Sequence, residues 1–378
     1  MKTTFKLSNI FGSIYHRGNL EFSSDGNHLL SPVGNKIVSY DLKNNRSSCL
    51  GIEATYNIQC MSMSPNGRLL LVATEKGQLY MLSMVSQTVL HRKDFFRMDS
   101  ISCLSFSPGG RYYVVTGGNR ALVYETPDTD SGRDLSPFKI HRVIKAHFDD
   151  ITCVAWSPNS LLLAIGSKDF TVKIFPITAE ADKALKMINL SGHPDEIVGC
   201  FFSGIPGNFY DLYTIARNGL LNVWESSMGD ADDILEDDEN SSELNEEKRV
   251  LNFKRRSKHF LNEHVKDKKT SRCPKVTSCQ YSSRAKILVT GFSDGSFLLQ
   301  DIPDLNVIYS LQLSNNSSVD SLVINASGDW IALGSSVGQG IRGLETNSEG
   351  EITNNSSQLV VWEWKTESFV MKQTGTGK

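Results

Sequence analysis

Short apolar segments alternate with polar positions along nearly the whole chain, and each segment ends at a turn. One unit reads as an alternating apolar strand, a tight Ser-Pro-x-Gly turn, a second apolar strand, a turn containing Gly or Asp, and a third strand ending in an aromatic. The second unit runs Ile58-Gln-Cys-Met-Ser-Met-Ser-Pro-Asn-Gly67, then Leu69-Leu-Leu-Val-Ala73, then Gly77-Gln-Leu-Tyr80. The fourth runs Ile151-Thr-Cys-Val-Ala-Trp-Ser-Pro158, then Leu162-Leu-Ala-Ile-Gly166, then Asp169-Phe-Thr-Val-Lys-Ile-Phe175. Further copies begin near Gly18, Ile101, Gly192, Val276 and Val319. Alternation with period two predicts strands, and self-similarity at roughly 40–50 residues predicts a propeller or array.

The physics favours a propeller. A small antiparallel sheet with two apolar faces cannot bury them alone and leaves its edges open. Radial repetition covers each face with a neighbour and leaves only short edges. Pro and Gly fall at the turns, where no ladder donor is needed and positive φ is tolerated. The expected fold is therefore all-β, a seven-bladed WD40-type β-propeller with a long charged loop between the fifth and sixth repeat units. Residues 1–378 are expected to form a single such propeller. Two segments compete to supply its last outer strand: Phe5–Phe11 from the N-terminal side and Ser368–Lys372 from the C-terminal side.

Composition narrows the function classes. Hydrophobic residues make up 39% and charged residues 21%, which excludes wholesale disorder. The formal net charge is −3, without the basic excess of a nucleic-acid-coating protein. No apolar run of signal-peptide or membrane-spanning length occurs, so cytosol or nucleus is expected and no membrane partner. Asn45, Asn316 and Asn355 stand in Asn-x-Ser sequons and read as ordinary loop residues. Of the seven cysteines, Cys60, Cys103 and Cys153 each stand five residues before the Pro of a Ser-Pro pair, and Cys200 and Cys279 occupy similar places in weaker copies. They lie one repeat apart, in different units, without the short spacing of a metal site. They read as small buried residues on inner strands, with no metal site expected.

Two repeats carry a polar pairing pattern. His147 goes with Asp169 and Phe175, and His193 with Asn218 and Trp224. Each His is expected to bond the turn carboxylate or amide of its own blade, a structural role rather than a catalytic one, because no nucleophile recurs beside them. No G-x-S-x-G, H-E-x-x-H or complete P-loop occurs, and Gly375-Thr-Gly-Lys378 lacks the context of one. No catalytic residue, cofactor or small-molecule substrate is expected, and the protein reads as a docking platform rather than an enzyme.

Two irregular segments interrupt the repeat. Asp230–Glu247 carries ten acidic residues and no basic one, and Lys248–Arg272 carries ten basic residues against Glu263 and Asp267. Like-charge blocks stay solvated, so residues 228–272 are expected to be largely disordered. The basic half, Lys254, Arg255, Arg256 and Lys258 with Phe253 and Phe260 beside them, could instead meet RNA phosphate or an acidic protein. Residues 338–357, rich in Gly, Ser, Asn and Glu, read as a flexible surface loop.

Several stretches go beyond generic repeats. Ser8-Asn-Ile-Phe-Gly12, Tyr15-His-Arg-Gly-Asn-Leu20, Gly192-His-Pro-Asp-Glu-Ile-Val-Gly-Cys-Phe-Phe202, Asn325-Ala-Ser-Gly-Asp-Trp-Ile331, Leu359-Val-Val-Trp-Glu-Trp364 and Arg256-Ser-Lys-His-Phe-Leu-Asn262 together resemble the N-terminal propeller of the periodic tryptophan protein 2 family. The resemblance implies a nucleolar, hence nuclear, scaffold of ribosome biogenesis within the small-subunit processome. Its implied partners are other processome WD-repeat proteins, the U3 small nucleolar ribonucleoprotein (U3 snoRNP) and pre-rRNA, and its implied role is in cleavages leading to 18S rRNA. The family's chains are longer and carry a second propeller, and they have a short turn where residues 338–357 stand here. The alternative expectation is a cytosolic WD-repeat adaptor recruiting proteins to a ligase or signalling complex.

Overall fold

A computed structural model describes residues 15, 18–95, 100–127, 137–145, 147–178, 187–205, 210–229, 250–265, 273–313, 317–337 and 357–374. These form seven four-stranded antiparallel sheets, each made from four consecutive strands.

The first sheet holds β1 (Glu21–Phe22), β2 (His28–Val33), β3 (Lys36–Asp41) and β4 (Arg46–Glu53). The second holds β5 (Ile58–Met63), β6 (Leu69–Thr74), β7 (Gln78–Ser83) and β8 (Thr88–Asp94). The third holds β9 (Cys103–Phe106), β10 (Tyr112–Gly117), β11 (Arg120–Glu125) and β12 (Ile140–Ile144). The fourth holds β13 (Ile151–Trp156), β14 (Leu162–Ser167), β15 (Val172–Pro176) and β16 (Ile188–Leu190). The fifth holds β17 (Ile197–Phe202), β18 (Leu212–Ala216), β19 (Leu220–Gly229) and β20 (Val250–Phe260). The sixth holds β21 (Val276–Ser282), β22 (Ile287–Phe292), β23 (Ser296–Asp301) and β24 (Val307–Gln312), and the seventh β25 (Ser317–Ile324), β26 (Trp330–Val337), β27 (Gln358–Glu363) and β28 (Ser368–Thr374). This is the expected seven-bladed β-propeller.

The Ser-Pro turns explain why the first two strands of a blade meet so regularly. In three of them the Ser hydroxyl accepts the amide that opens the next strand: Leu69 to Ser64 at 2.9 Å, Tyr112 to Ser107 at 3.0 Å and Leu162 to Ser157 at 2.9 Å. The side chain thus satisfies a buried donor that the ladder leaves over.

Two compact units are distinguished, Met1–Leu104 with His264–Lys378, and Ser105–Glu263, with the boundary inside β9. In the first unit, blades six and seven share a core of Val289, Phe297, Leu333 and Trp362, and blades one and two share Leu30, Ile37, Met61 and Leu70. Blades seven and one meet through Tyr15, Leu20, Leu29, Leu359 and Val361, and the Leu20 amide donates to the Ser321 hydroxyl at 2.8 Å. Gly334 makes that junction possible, since a Cβ there would lie 2.7 Å from the Tyr15 ring. In the second unit, Val114, Ile151, Trp156 and Ile165 join blades three and four, and Ala164, Ile197, Phe202 and Trp224 join blades four and five.

The choice between the two terminal segments is decided. β28, which contains Ser368–Lys372, pairs with β27 and completes the seventh sheet from its own side of the chain. Phe5–Phe11 lies outside the described residues.

The charged segment is folded in part: along the chain, residues 230–249 stand between the third and fourth strands of the fifth sheet, and residues 266–272 between the fifth and sixth sheets. Of residues 228–272, expected to be largely disordered, Val250–Phe260 is β20, and Leu261–His264 is a 3-10 turn. β20 is the outer strand of the fifth sheet, paired with β19 from Leu220–Phe260 to Gly229–Val250. The physical reason is burial. Leu251 and Leu261 are buried and Phe253 packs beside Leu251, while the Leu261 amide donates to the Gly219 carbonyl at 2.9 Å. A charged strand can therefore order by burying its apolar positions and turning its charges outward. Residues 230–249 and 266–272 lie outside the described residues. So does the expected flexible loop 338–357 except Ser357; the segment separates β26 from β27, the second and third strands of the seventh blade.

Candidate interaction site

β20 carries all four basic residues singled out in the sequence. Lys254, Arg255, Arg256 and Lys258 are exposed, on a strand whose far edge has no partner strand within the sheet. A register shift between Val223 and Trp224 sets their directions. Arg255 lies opposite Trp224 and Lys258 opposite Asn222, on one face, while Lys254 lies opposite Glu225 on the other. Arg255 reaches the loop before β17: a Cβ on Gly192 would stand 2.7 Å from its guanidinium Nη1, so the absent side chain at Gly192 gives the guanidinium its place. Burial pushes the Tyr213 phenol pKa up, and the Ser203 hydroxyl and then the charge of Arg256 work against it. An exposed strand edge with closely spaced cations resists self-pairing and presents a field to an anionic partner.

Behind this strand lies the His193 cluster. His193 is buried, and its Nε2 stands 2.7 Å from the Thr214 hydroxyl, which also accepts the Trp224 indole N–H at 2.8 Å. The Asn222 amide lies 3.0 Å from the same ring nitrogen. Burial drives the His193 pKa down to about 4, and the positive charges of Arg255 and Lys258 add to the shift. His193 is therefore neutral at pH 7 and ties the segment before β17 to β18 and β19.

The expected His193–Asn218 pair is not formed. Asn218 instead accepts the Leu220 amide at 3.1 Å through its side chain, and its carbonyl accepts from Asn262 at 2.9 Å. Its carboxamide serves its own turn, and His193 finds its partners one strand pair deeper, on Thr214 and Asn222. Sequence reasoning passed over these two because they sit inside apolar runs. Their signal is that they face each other across β18 and β19, directly paired in register.

The other pair forms as expected. His147 Nδ1 stands 3.0 Å from Asp169 Oδ2, and that carboxylate also accepts the Phe148 amide at 3.2 Å, the Thr171 amide at 3.1 Å and the Thr171 hydroxyl at 2.6 Å. Burial opposes ionisation of Asp169, but the bonds from Thr171, His147 and Phe148 outweigh it and hold its pKa below the ordinary value. Burial lowers the His147 pKa despite the carboxylate. A neutral His on an ionised, fully bonded Asp is a strut between two loops.

The same turn holds Phe170 at φ 67°, in the place of Gly77, Gly219 and Gly295 in sister turns. A bulky side chain in the left-handed region is strained by roughly 1–2 kcal/mol. Since glycine returns part of that as unfolded-chain freedom, Phe170→Gly is expected to stabilise the chain by about 1 kcal/mol. Denaturant unfolding checks this, and a loss of stability would show that Phe170 packs more than its half-exposed position indicates.

Among the described residues no group of three or more His, Cys, Asp or Glu lies close enough together to hold a metal ion. Seven antiparallel blades with an internal His–Asp strut and a basic outer strand define a WD-repeat β-propeller, the class of protein that serves as an interaction scaffold. The family model described as "WD domain, G-beta repeat" matches residues 138–175, the span holding His147 and Asp169. Within that class the chain resembles periodic tryptophan protein 2. It is 37% identical over 99% of its length to the Mus musculus homolog, and 33% identical over 99% to the Saccharomyces cerevisiae protein. It covers 40% and 37% of those two chains, and so spans about two fifths of their length. A solved structure titled "Crystal Structure of Mitotic Checkpoint Complex" superposes with a TM-score of 0.62 at 14% identity, covering 85% of this chain and 84% of that chain, which bears on the fold alone.

Proposed function

We propose that this chain is a non-enzymatic scaffold of ribosome biogenesis, joining a nucleolar small-subunit processome assembly with U3 snoRNP and pre-rRNA. Similarity over 99% of the chain to proteins of one name, periodic tryptophan protein 2, carries the reading. In this reading the β20 cations Lys254, Arg255, Arg256 and Lys258 are the contact to the assembly. Their clustering on one exposed strand supports that role, since closely spaced cations present a strong positive field to an anionic partner.

Affinity purification of the tagged chain, probing the eluate for 5′ pre-rRNA and U3 small nucleolar RNA, tests the proposal. Recovery of both supports processome entry. Absence of both overturns it and favours an adaptor that carries no RNA. Changing all four cations to alanine is expected to lower RNA recovery about tenfold or more while leaving the unfolding midpoint nearly unchanged. Exposed charges add little to stability, whereas each lost phosphate contact weakens binding and flattens its salt dependence. Recovery at the wild-type level would remove β20 from the contact.

A further inference from the structure

Two thiols that belong to different repeats meet at one blade junction. Cys153 Sγ on β13 and Cys200 Sγ on β17 stand 3.6 Å apart. We propose that Cys153 and Cys200 are a redox-active dithiol, which a peroxide closes into a disulfide between the inner strands of the fourth and fifth blades. The proposal goes beyond the scaffold role and does not depend on it.

The backbone brings the pair together. β13 and β17 each carry an irregularity two residues in, between Ile151 and Cys153 and between Ile197 and Gly199. The two strands are tied directly, the Thr152 hydroxyl donating to the Ile197 carbonyl at 2.5 Å. Cys153 lies opposite Gly166, and the missing side chain leaves its sulfur room: a Cβ on Gly166 would lie 2.5 Å from Cys153 Sγ and 2.8 Å from Ile197 Cγ2. A disulfide needs sulfurs at about 2.05 Å, so the side chains must turn within that space to close the remaining gap. Cys60 contrasts with this pair, its sulfur directed to the Ile101 carbonyl at 3.7 Å.

Exposure divides the roles. Cys153 is half-buried and meets the oxidant; Cys200 is buried and resolves the product. The Cys153 thiolate attacks one peroxide oxygen, the O–O bond breaks, and a sulfenic acid forms with release of water after protonation. The Cys200 thiolate then attacks the sulfenic sulfur, the S–O bond breaks, and a second water leaves. Two thiols lose two electrons and two protons, and one peroxide becomes two waters.

The test uses the full chain with the exposed Cys49 and Cys273 changed to serine, which removes the two most exposed competing thiols. It is treated with hydrogen peroxide under native conditions, alkylated, digested and mapped by mass spectrometry without reduction. The expected result is a peptide linking Cys153 to Cys200, two fewer alkylated thiols per chain, and full reversal by dithiothreitol. Adding Cys200→Ser is expected to leave a dimedone-reactive Cys153. Alkylation of both residues after peroxide treatment, or irreversible oxidation of Cys153 with no linked peptide, overturns the proposal. The mapping on the double-serine chain decides the matter even if Cys200→Ser fails to fold.

Discussion

Replacing Trp362 with alanine is expected to lower the unfolding free energy by about 3–5 kcal/mol, the usual range for emptying a large aromatic site in a packed core. Trp362 is buried on β27 of the seventh blade, but its ring contacts come from the sixth. Phe297 meets it edge-on at 5.7 Å between ring centroids, and Tyr309 edge-on at 5.3 Å. Such pairs add to the area term, and the cavity opens at the junction between two separate sheets. Trp362→Phe keeps most of the ring and is expected to lose less than half as much. Trp364 is a useful comparison. It is half-buried, with its indole N–H donating to the Gly328 carbonyl at 2.7 Å, so Trp364→Ala should fall below Trp362→Ala. Chemical denaturation of the three variants ranks them. An alanine variant at 362 within about 1 kcal/mol of wild type would mean that the junction relaxes to fill the hole.

The second large effect is on pH dependence. His193 has its pKa depressed to about 4 in the folded chain, against an ordinary value of 6.5. Above pH 6.5 both states leave it neutral and it contributes no slope. As pH falls from about 6.5 to 4 the unfolded chain takes up a proton that the folded chain refuses, so stability falls. The full shift corresponds to about 3 kcal/mol. Glu21 pulls the other way. Burial raises its carboxyl pKa from 4.5 to about 7, the Met63 amide only partly offsetting this, so the folded chain holds a proton that the unfolded chain releases. Its effect is a fall in stability as pH rises from about 4.5 to 7. The two slopes oppose each other between pH 4.5 and 6.5, and the wild-type curve there is expected to be flat. Glu21→Gln should therefore expose a steep loss of stability on acidification, and His193→Gln a gain. Melting curves at pH 5 and pH 7 for both variants decide this; parallel curves for wild type and Glu21→Gln would sink the assignment.

The repeat grammar made most of the architecture legible. Units such as Ile151–Pro158 followed by Leu162–Gly166 carry period-two alternation, a turn hydroxyl and a turn proline in one reading frame. Each of those is a local preference, so β13 and β14 follow from adjacent residues. The His147–Asp169 strut was legible for the same reason, since both residues sit in loops of one blade. The basic residues of β20 were visible as chemistry but misread as structure. Charge density argued for a solvated segment, and the deciding fact was that β20 completes the fifth sheet as its fourth strand, with Leu251 buried and Phe253 packed against that core.

By itself the sequence determined the number of blades, their strand order and the turns between strands, because those depend on contacts between neighbours in the chain. Tertiary structure alone decided three things. It took the seventh blade's outer strand from β28. It turned His193 to Thr214 and Asn222 rather than to Asn218, because strand register, not sequence spacing, sets which side chains share a face. It also brought Cys153 and Cys200, apart in sequence and reading as residues of separate units, to adjoining inner strands. Each depends on which residues of different strands or blades come into contact, and alternation along one strand says which face a residue lies on but not what will lie against it.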